Sequence, residues 1–463
     1  MATAGKPLVA ALLLLSLTLC ANASAALRVR WMPGTPSPGT PARYDKVGVL
    51  KIGPAKAKNV LVLVPGTSAG SAYFVPLAKW IVSRAPGWQV WSIERRENLL
   101  EDQSMLDQAK SRHATAADLF NYYLGYLAGA KVSHHFSLIP DRTVSYAKRW
   151  GMSVAVGDLH RVIAVAAKLG GKVVLGGHSL GGGVVTAYAT WNFGGHPGAD
   201  ALAGLVYIDG GSFGHESAAA ARHAVATLNA PSASPWLGFG GITAPYAGVF
   251  NATGSTAALL DPNGPSLGQS SGLLKPFNLA PPVAVSNRGQ YGYALNAGTS
   301  PPALVAAQAH LGQGISATGN PRGWNGTGAL TPLTRFARMF SGTGVANADG
   351  TEWYFPQRLT DDLGAIGNGT PSGAERVLGL HATLGRRLPR RLRIYAFGAA
   401  LGGQVILNEA RQLAVQSHIP LRQLTLINRQ AAYAHNDPNG AYPHNLFFAH
   451  LIPFLTRTAP GRG

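Results

Sequence analysis

Residues 172–190 read Lys-Val-Val-Leu-Gly-Gly-His-Ser-Leu-Gly-Gly-Gly-Val-Val-Thr-Ala-Tyr-Ala-Thr, and no other stretch constrains the fold as tightly. Val173, Val174 and Leu175 have the continuous apolar character of a strand buried on both faces. Gly181 to Thr190 predicts a helix that opens with small residues. Between them, Gly177-His178-Ser179-Leu180-Gly181 fits the pattern G-x-S-x-G. A serine on a sharp strand-to-helix turn sits in a strained backbone with its hydroxyl exposed. Side chains two residues to either side would collide, which accounts for the glycines. The helix that follows aims its first amides at the place where negative charge develops in acyl transfer. The competing reading is a glycine-rich turn with a surface serine. The buried strand before the pattern and the helix after it disfavour that reading.

The chain has 463 residues, which predicts one core with a large insertion or two domains. Glycine (58) and proline (31) are frequent, yet stay below the roughly 25–30% that marks disorder, so they predict many irregular loops. Residues 1–25 have the form of a secretory leader: Lys6, an apolar run from Leu8 to Leu19, and Ala23-Ser24-Ala25 as a small-x-small cleavage site. The run is shorter than the about 20 residues of a membrane span. A secreted, extracellular protein is therefore expected, not an integral membrane one. Cys20 is the only cysteine and lies in the leader. The mature chain would then have no disulfide, no catalytic thiol and no cysteine-ligated metal. The formal charge of +19 favours contact with anionic surfaces such as lipid headgroups, cell wall or nucleic acid. The basic residues are scattered, except for Arg386, Arg387, Arg390, Arg391 and Arg393, read as a solvated stretch before a strand. No zinc finger, RNA-binding aromatic motif or long basic helix occurs, so nucleic acid is not an expected partner.

Along the chain, strands are expected at 47–52, 59–64, 88–93, 202–208, 392–397 and 424–427, besides the one before Ser179. Helices are expected at 75–84, 116–128, 158–169, 217–228, 402–417 and 446–455. The proline-rich residues 26–46 are expected to wrap the surface. Strand, helix, strand in this rhythm predicts right-handed crossovers and a parallel sheet. From 213 to 390 the rhythm stops, and prolines, glycines and scattered aromatics predict an inserted cap, because a structureless loop of that length is implausible. Gly170-Gly171-Lys172 lacks phosphate-loop spacing, and Gly398–Gly403 misses the dinucleotide pattern. No spacing of His, Asp or Glu suggests a metal, so neither cofactor nor metal is expected.

The ordered set Val64-Pro65-Gly66, Gly177–Gly181, Asp209 after a strand, and Tyr433-Ala434-His435-Asn436-Asp437-Pro438 resembles the α/β-hydrolase superfamily over about 60–212 and 391–455. The resemblance implies an α/β fold, a doubly wound and mostly parallel sheet, with core segments 26–212 and 391–463 around a cap at 213–390. With serine at the nucleophile position, the chain is most similar to secreted esterases and lipases and less so to members carrying aspartate there. Carried over, Ser179 is the nucleophile and His435, on the loop after the last strand, is the base. His444 and His450 are its rivals, and His178 is buried scaffolding. The acid is Asp209, a position that some members use, or Glu409, since no carboxylate precedes it after the penultimate strand. The oxyanion donors implied are the amides of Leu180 and Thr67. The expected activity is cleavage of a small-molecule or lipid-like carboxylic ester. A peptidase or amidase of the same fold and a non-catalytic surface-binding protein are the alternatives.

Overall fold

A computed structural model describes residues 26–211, 214–239, 242–367 and 369–457. Residues 1–25, expected to be a leader, lie outside the described residues, and Cys20 with them. Eight strands form one sheet: β1 (Arg30–Pro33), β2 (Lys46–Ile52), β3 (Asn59–Val64), β4 (Trp88–Glu94), β5 (Val173–His178), β6 (Gly204–Ile208), β7 (Arg393–Gly398) and β8 (Leu424–Asn428). Their order is β8-β7-β6-β5-β3-β4-β2-β1. Strands β3 to β8 run parallel, while β2 pairs antiparallel with β4, and β1 antiparallel with β2. Parallel neighbours need a crossover, and helices supply it. These are α1 (Val75–Arg84), α2 (Met152–Ala167), α3 (Leu180–Thr190), α4 (Gly403–Gln416) and α5 (Leu446–Thr456).

Successive side chains of a strand point to opposite faces. Val60, Val62, Val173, Leu175, Leu205 and Ile394 accordingly pack with α2, α3 and α4. Leu61, Leu63, Val174, Val206 and Tyr395 pack with α1 and α5. Both faces are covered, which is why these strands are apolar at nearly every position. Across the second face Trp80 stacks on Phe448 with centroids 3.7 Å apart.

Three elements differ from expectation. Arg30–Pro33, expected to wrap the surface, forms the edge strand β1. An edge tolerates Pro33 because no ladder donor is needed there. The helix expected over 116–128 breaks at Leu124, whose φ of −132° leaves the helical region, and resumes as a 3₁₀ turn over Gly125–Ala128. The helix expected from 158 begins earlier, at Met152.

Among the described residues, none of 213–390 joins the main sheet. Their main helices are Ala218–Asn229, Ala244–Leu260, Asn287–Leu295, Leu333–Ser341 and Gln357–Ala365, with a hairpin of Gly314–Gly319 and Arg322–Asn325. They pack on the core rather than stand apart from it. Tyr291, Phe336 and Phe340 join the cluster over α1, and Trp353 packs with Leu106, Tyr123 and Phe136.

Candidate active site

The carboxyl ends of β3, β5 and β6 meet around residue 179. Ser179 joins β5 to α3 at φ 55° and ψ −128°, a conformation that side chains other than glycine avoid. Such strain costs on the order of 1–3 kcal/mol and persists only where the surroundings enforce it. Here they do. The Ser179 amide donates to the Ile208 carbonyl at 3.1 Å, and the Ser179 carbonyl accepts from Gly182 at 2.9 Å. A Cβ at Gly177 would strike the Gly181 carbonyl, and one at Gly181 the Val64 carbonyl. Ser179 itself is half-buried among buried neighbours.

Asp209 ends β6, also at a positive φ, 44°. The turn between β7 and α4 wraps its carboxylate. Oδ1 accepts from the amides of Ala399 (2.6 Å), Gly402 (2.9 Å) and Gly403 (3.3 Å), and Oδ2 from Leu401 (3.1 Å). Oδ2 also lies 2.7 Å from His435 Nδ1, with both side chains buried. Burial alone would raise this carboxyl. The hydrogen bond and charge of His435, with the Ala399 and Gly402 amides, outweigh burial and hold it below its ordinary value. A partner on Nδ1 leaves Nε2 as the ring nitrogen free to exchange a proton.

The loop that carries His435 is fixed by its neighbours. His178 Nε2 donates to the His435 carbonyl at 3.0 Å, and the two rings lie 4.3 Å apart. Burial and the nearby His435 push His178 down to about 3, so it is neutral scaffolding. Tyr73 stacks on His178 at 5.3 Å and donates to Asn436 Oδ1 at 2.7 Å. Asn436 Nδ2 donates to the Ala306 and Gln308 carbonyls, both at 3.1 Å. Asp437 accepts from the Ala434 amide (2.7 Å) and Thr331 (2.6 Å), and lies 2.6 Å from His310 Nδ1. His444 and His450 are exposed. Glu409 lies on α4, and the carboxylate on His435 is that of Asp209.

The turn after β3 borders the serine. A Cβ at Gly66 would lie 2.8 Å from Ser179 Cβ and 3.4 Å from its Oγ. Arg95, just after β4, reaches under this turn. It donates to the carbonyls of Pro65 (3.0 Å), Gly66 (2.9 Å) and Ala69 (2.9 Å) and pairs with buried Glu352. The C=O and N–H of one trans peptide point in opposite directions. With the Gly66 carbonyl on Arg95, the Thr67 amide therefore points away from the arginine. Leu180 supplies the first amide of α3, directly after the serine.

Arg95 and Glu352 are the site residues that sequence reading missed. Their signal was Glu94-Arg95-Arg96-Glu97, a charged run at the carboxyl end of a buried strand, where such sheets place their sites. Burial is a heavy penalty there: Glu94 rises to about 8, although Ser71 donates to it from both amide and hydroxyl. Among the described residues no group of three or more His, Cys, Asp or Glu is arranged to hold a metal, and no helix is long and apolar enough to cross a membrane.

The strand order and the strained serine turn between β5 and α3 are those of the α/β-hydrolase fold. The chain matches no protein-family model and no curated protein. Among the solved structures to which it is similar are three of low identity. One is an α/β hydrolase fold protein from Nakamurella multipartita, 10% identical over 92% of this chain and 98% of that one, with a TM-score of 0.37. Another is a soluble variant of monoglyceride lipase from Saccharomyces cerevisiae, 9% identical over 94% and 96%, with a TM-score of 0.35. The third is the thioesterase domain from the curacin biosynthetic pathway, 11% identical over 93% and 99%, with a TM-score of 0.40.

Proposed function

We propose that the protein is a secreted, cofactor-free serine hydrolase that cleaves carboxylic esters through an acyl-enzyme on Ser179. The observation that carries this reading is the buried contact of His435 Nδ1 with Asp209 Oδ2, at the sheet edge where Ser179 is held at positive φ. Ser179 Oγ attacks the ester carbonyl while His435 Nε2 takes its proton. Asp209 keeps the imidazole proton on Nδ1 and offsets the charge of the imidazolium. The amides of Leu180 and Thr67 receive the oxyanion, and Arg95 fixes the second of them. His435 then protonates the leaving alcohol. Water, activated by the same nitrogen, releases the acid. Residues 213–390 act as the cap that selects the acyl or alcohol group.

A fluorophosphonate probe tests the nucleophile directly. It labels the native chain at Ser179, and Ser179→Ala abolishes labelling together with on the order of 10⁴–10⁶ in kcat on p-nitrophenyl esters. A variant that keeps a tenth of native turnover refutes the assignment. Faster cleavage of the matching p-nitroanilides than of the esters would make it an amidase instead.

A further inference from the structure

The parallel strands all start at one edge of the sheet, opposite Ser179. Their register aligns Val60 with Val173, Val174 with Gly204, Gly204 with Arg393, and Ile394 with Leu424. Residues just before these strands therefore sit side by side, about 4.8 Å apart per strand. They are cationic: Lys58 before β3, Lys172 before β5, Arg391 before β7 and Arg422 before β8, with Arg84 closing α1 ahead of β4. All are exposed except the half-buried Lys172. Arg386, Arg387 and Arg390 extend the row. They reach this edge because the Leu384 amide donates to Thr190 at the end of α3, and Ser417 at the end of α4 donates to the Gly385 carbonyl. A recess of about 270 Å³ opens between Arg386, Arg387, Gly369, Thr370 and Pro371, room for a phosphate headgroup.

Several buried carboxylates lie at the other edge. Glu94 and Asp209 end their strands there, with Glu97, Asp349 and Glu352 buried close by. Segments 53–58, 84–87, 168–172, 386–392 and 417–423 contain no Asp or Glu. Asp200 lies ahead of β6, and Arg391 donates to its backbone carbonyl at 3.0 Å. Two apolar side chains stand exposed among these cations, Leu421 (62%) and Val415 (59%). A nucleic acid gains nothing from apolar side chains held in water at its phosphates. The boundary between headgroups and acyl chains does.

We propose that this edge docks on a phospholipid bilayer that carries acidic lipids, and that docking holds Ser179 away from the membrane. The six residues of β5 separate the two edges by about 20 Å at roughly 3.3 Å each. The docked protein therefore receives its substrate from the aqueous side. The docking does not depend on the hydrolase reading; only the turnover measurement below does.

The test uses the chain from Ala26, where the described fold begins, with Ser179→Ala so that no lipid is consumed. It is sedimented with phosphatidylglycerol-containing vesicles and with pure phosphatidylcholine vesicles. Binding is expected to the acidic vesicles alone, and to fall as salt shortens the Debye length. Each surface cation contributes on the order of fivefold. R386Q/R387Q/R390Q/R391Q should thus lower partition by on the order of 10²–10³ while the melting curve stays that of the parent. L421S should lower it several-fold. K131Q/R142Q, exposed on other segments, should bind as the parent does. Equal binding to neutral vesicles, an unaffected quadruple variant, or an equal loss in K131Q/R142Q overturns the proposal. So does tighter binding to duplex DNA than to acidic vesicles, with L421S without effect. For the native serine, turnover of a water-soluble ester should be the same with and without vesicles. A change of more than about twofold overturns the orientation and leaves any loss of Ser179 labelling to be judged separately.

Discussion

Replacing Asp209 by Asn separates the tautomer role of this carboxylate from its structural one. The carboxylate accepts five N–H groups: three backbone amides on Oδ1, and the Leu401 amide with His435 on Oδ2. An asparagine has one acceptor and one donor end. Aiming its NH₂ at the three amides would lose three hydrogen bonds, each about 1 kcal/mol net. The carbonyl therefore takes the Oδ1 position, and the NH₂ faces Leu401 and His435. Imidazole must then accept at Nδ1, which puts its proton on Nε2, where it can no longer take one from Ser179. The loss in kcat is on the order of 10⁴. The stability loss is that of one part-buried amide facing a donor, about 1–3 kcal/mol. For a chain of this size that is a shift of a few degrees in Tm. Steady-state and burst kinetics on p-nitrophenyl acetate, with a thermal melt of the same preparation, read both numbers. A variant with more than a tenth of native kcat and an unchanged melt refutes the tautomer argument. Glu409→Gln should stay within a few-fold of native, and the reverse pattern would move the acid to α4.

Arg95→Lys replaces a fork that spans three carbonyls with a point charge. It should lower kcat by on the order of 10–10², since one lost oxyanion donor is worth 10²–10³ and this one is only displaced; KM should hardly move in steady-state kinetics. His444→Ala and His450→Ala, at exposed positions, should leave turnover within a few-fold, whereas His435→Ala removes most of it. Stability should fall on both sides of mildly acidic pH. His178, pushed down to about 3 by burial and then by His435, binds fewer protons folded than unfolded, so stability declines from about pH 6.5 downward. Glu94, raised to about 8 by burial, keeps its proton when folded. Its contribution is full below the unfolded value near 4.5 and is lost as pH rises toward 8. Glu94→Gln should flatten that alkaline limb in a Tm-against-pH series, and an unchanged limb would show that another carboxyl carries it.

The sheet was legible because its strands are buried on both faces and therefore apolar without interruption, as in Asn59–Val64. The serine turn was legible because steric contact demands its glycines at fixed spacing. Asp209 was visible only as one of two candidate carboxylates. Its role depends on the backbone amides of 399–403 folding around it, and sequence carries no signal for amide direction. The edge strand β1 was missed because a four-residue strand ending in proline has too little periodicity to register. Arg95 was missed because a charged run usually reads as solvated. Its three carbonyl partners come from a turn about thirty positions earlier and its carboxylate from Glu352, far along the insertion.

That last contact bears on how residues 213–390 can work. A lid that swings as one body should meet the core through small, mainly apolar contacts. Here several of the insertion's contacts are polar and reach loops of the site. Glu352 neutralises Arg95 under the turn of Gly66 and Thr67. Ala306 and Gln308 accept from Asn436, next to His435. His310 and Thr331 hold Asp437, two residues beyond His435. Withdrawing the insertion as a block would take the carboxylate of Glu352 from Arg95 and leave the guanidinium held by the carbonyls of Pro65, Gly66 and Ala69 alone. It would also free both loops that the proposed mechanism needs fixed. On the function proposed above, access to Ser179 would then be governed by movement within the insertion, in segments that make none of these contacts, while those around 306–310, 331 and 352 would stay in place.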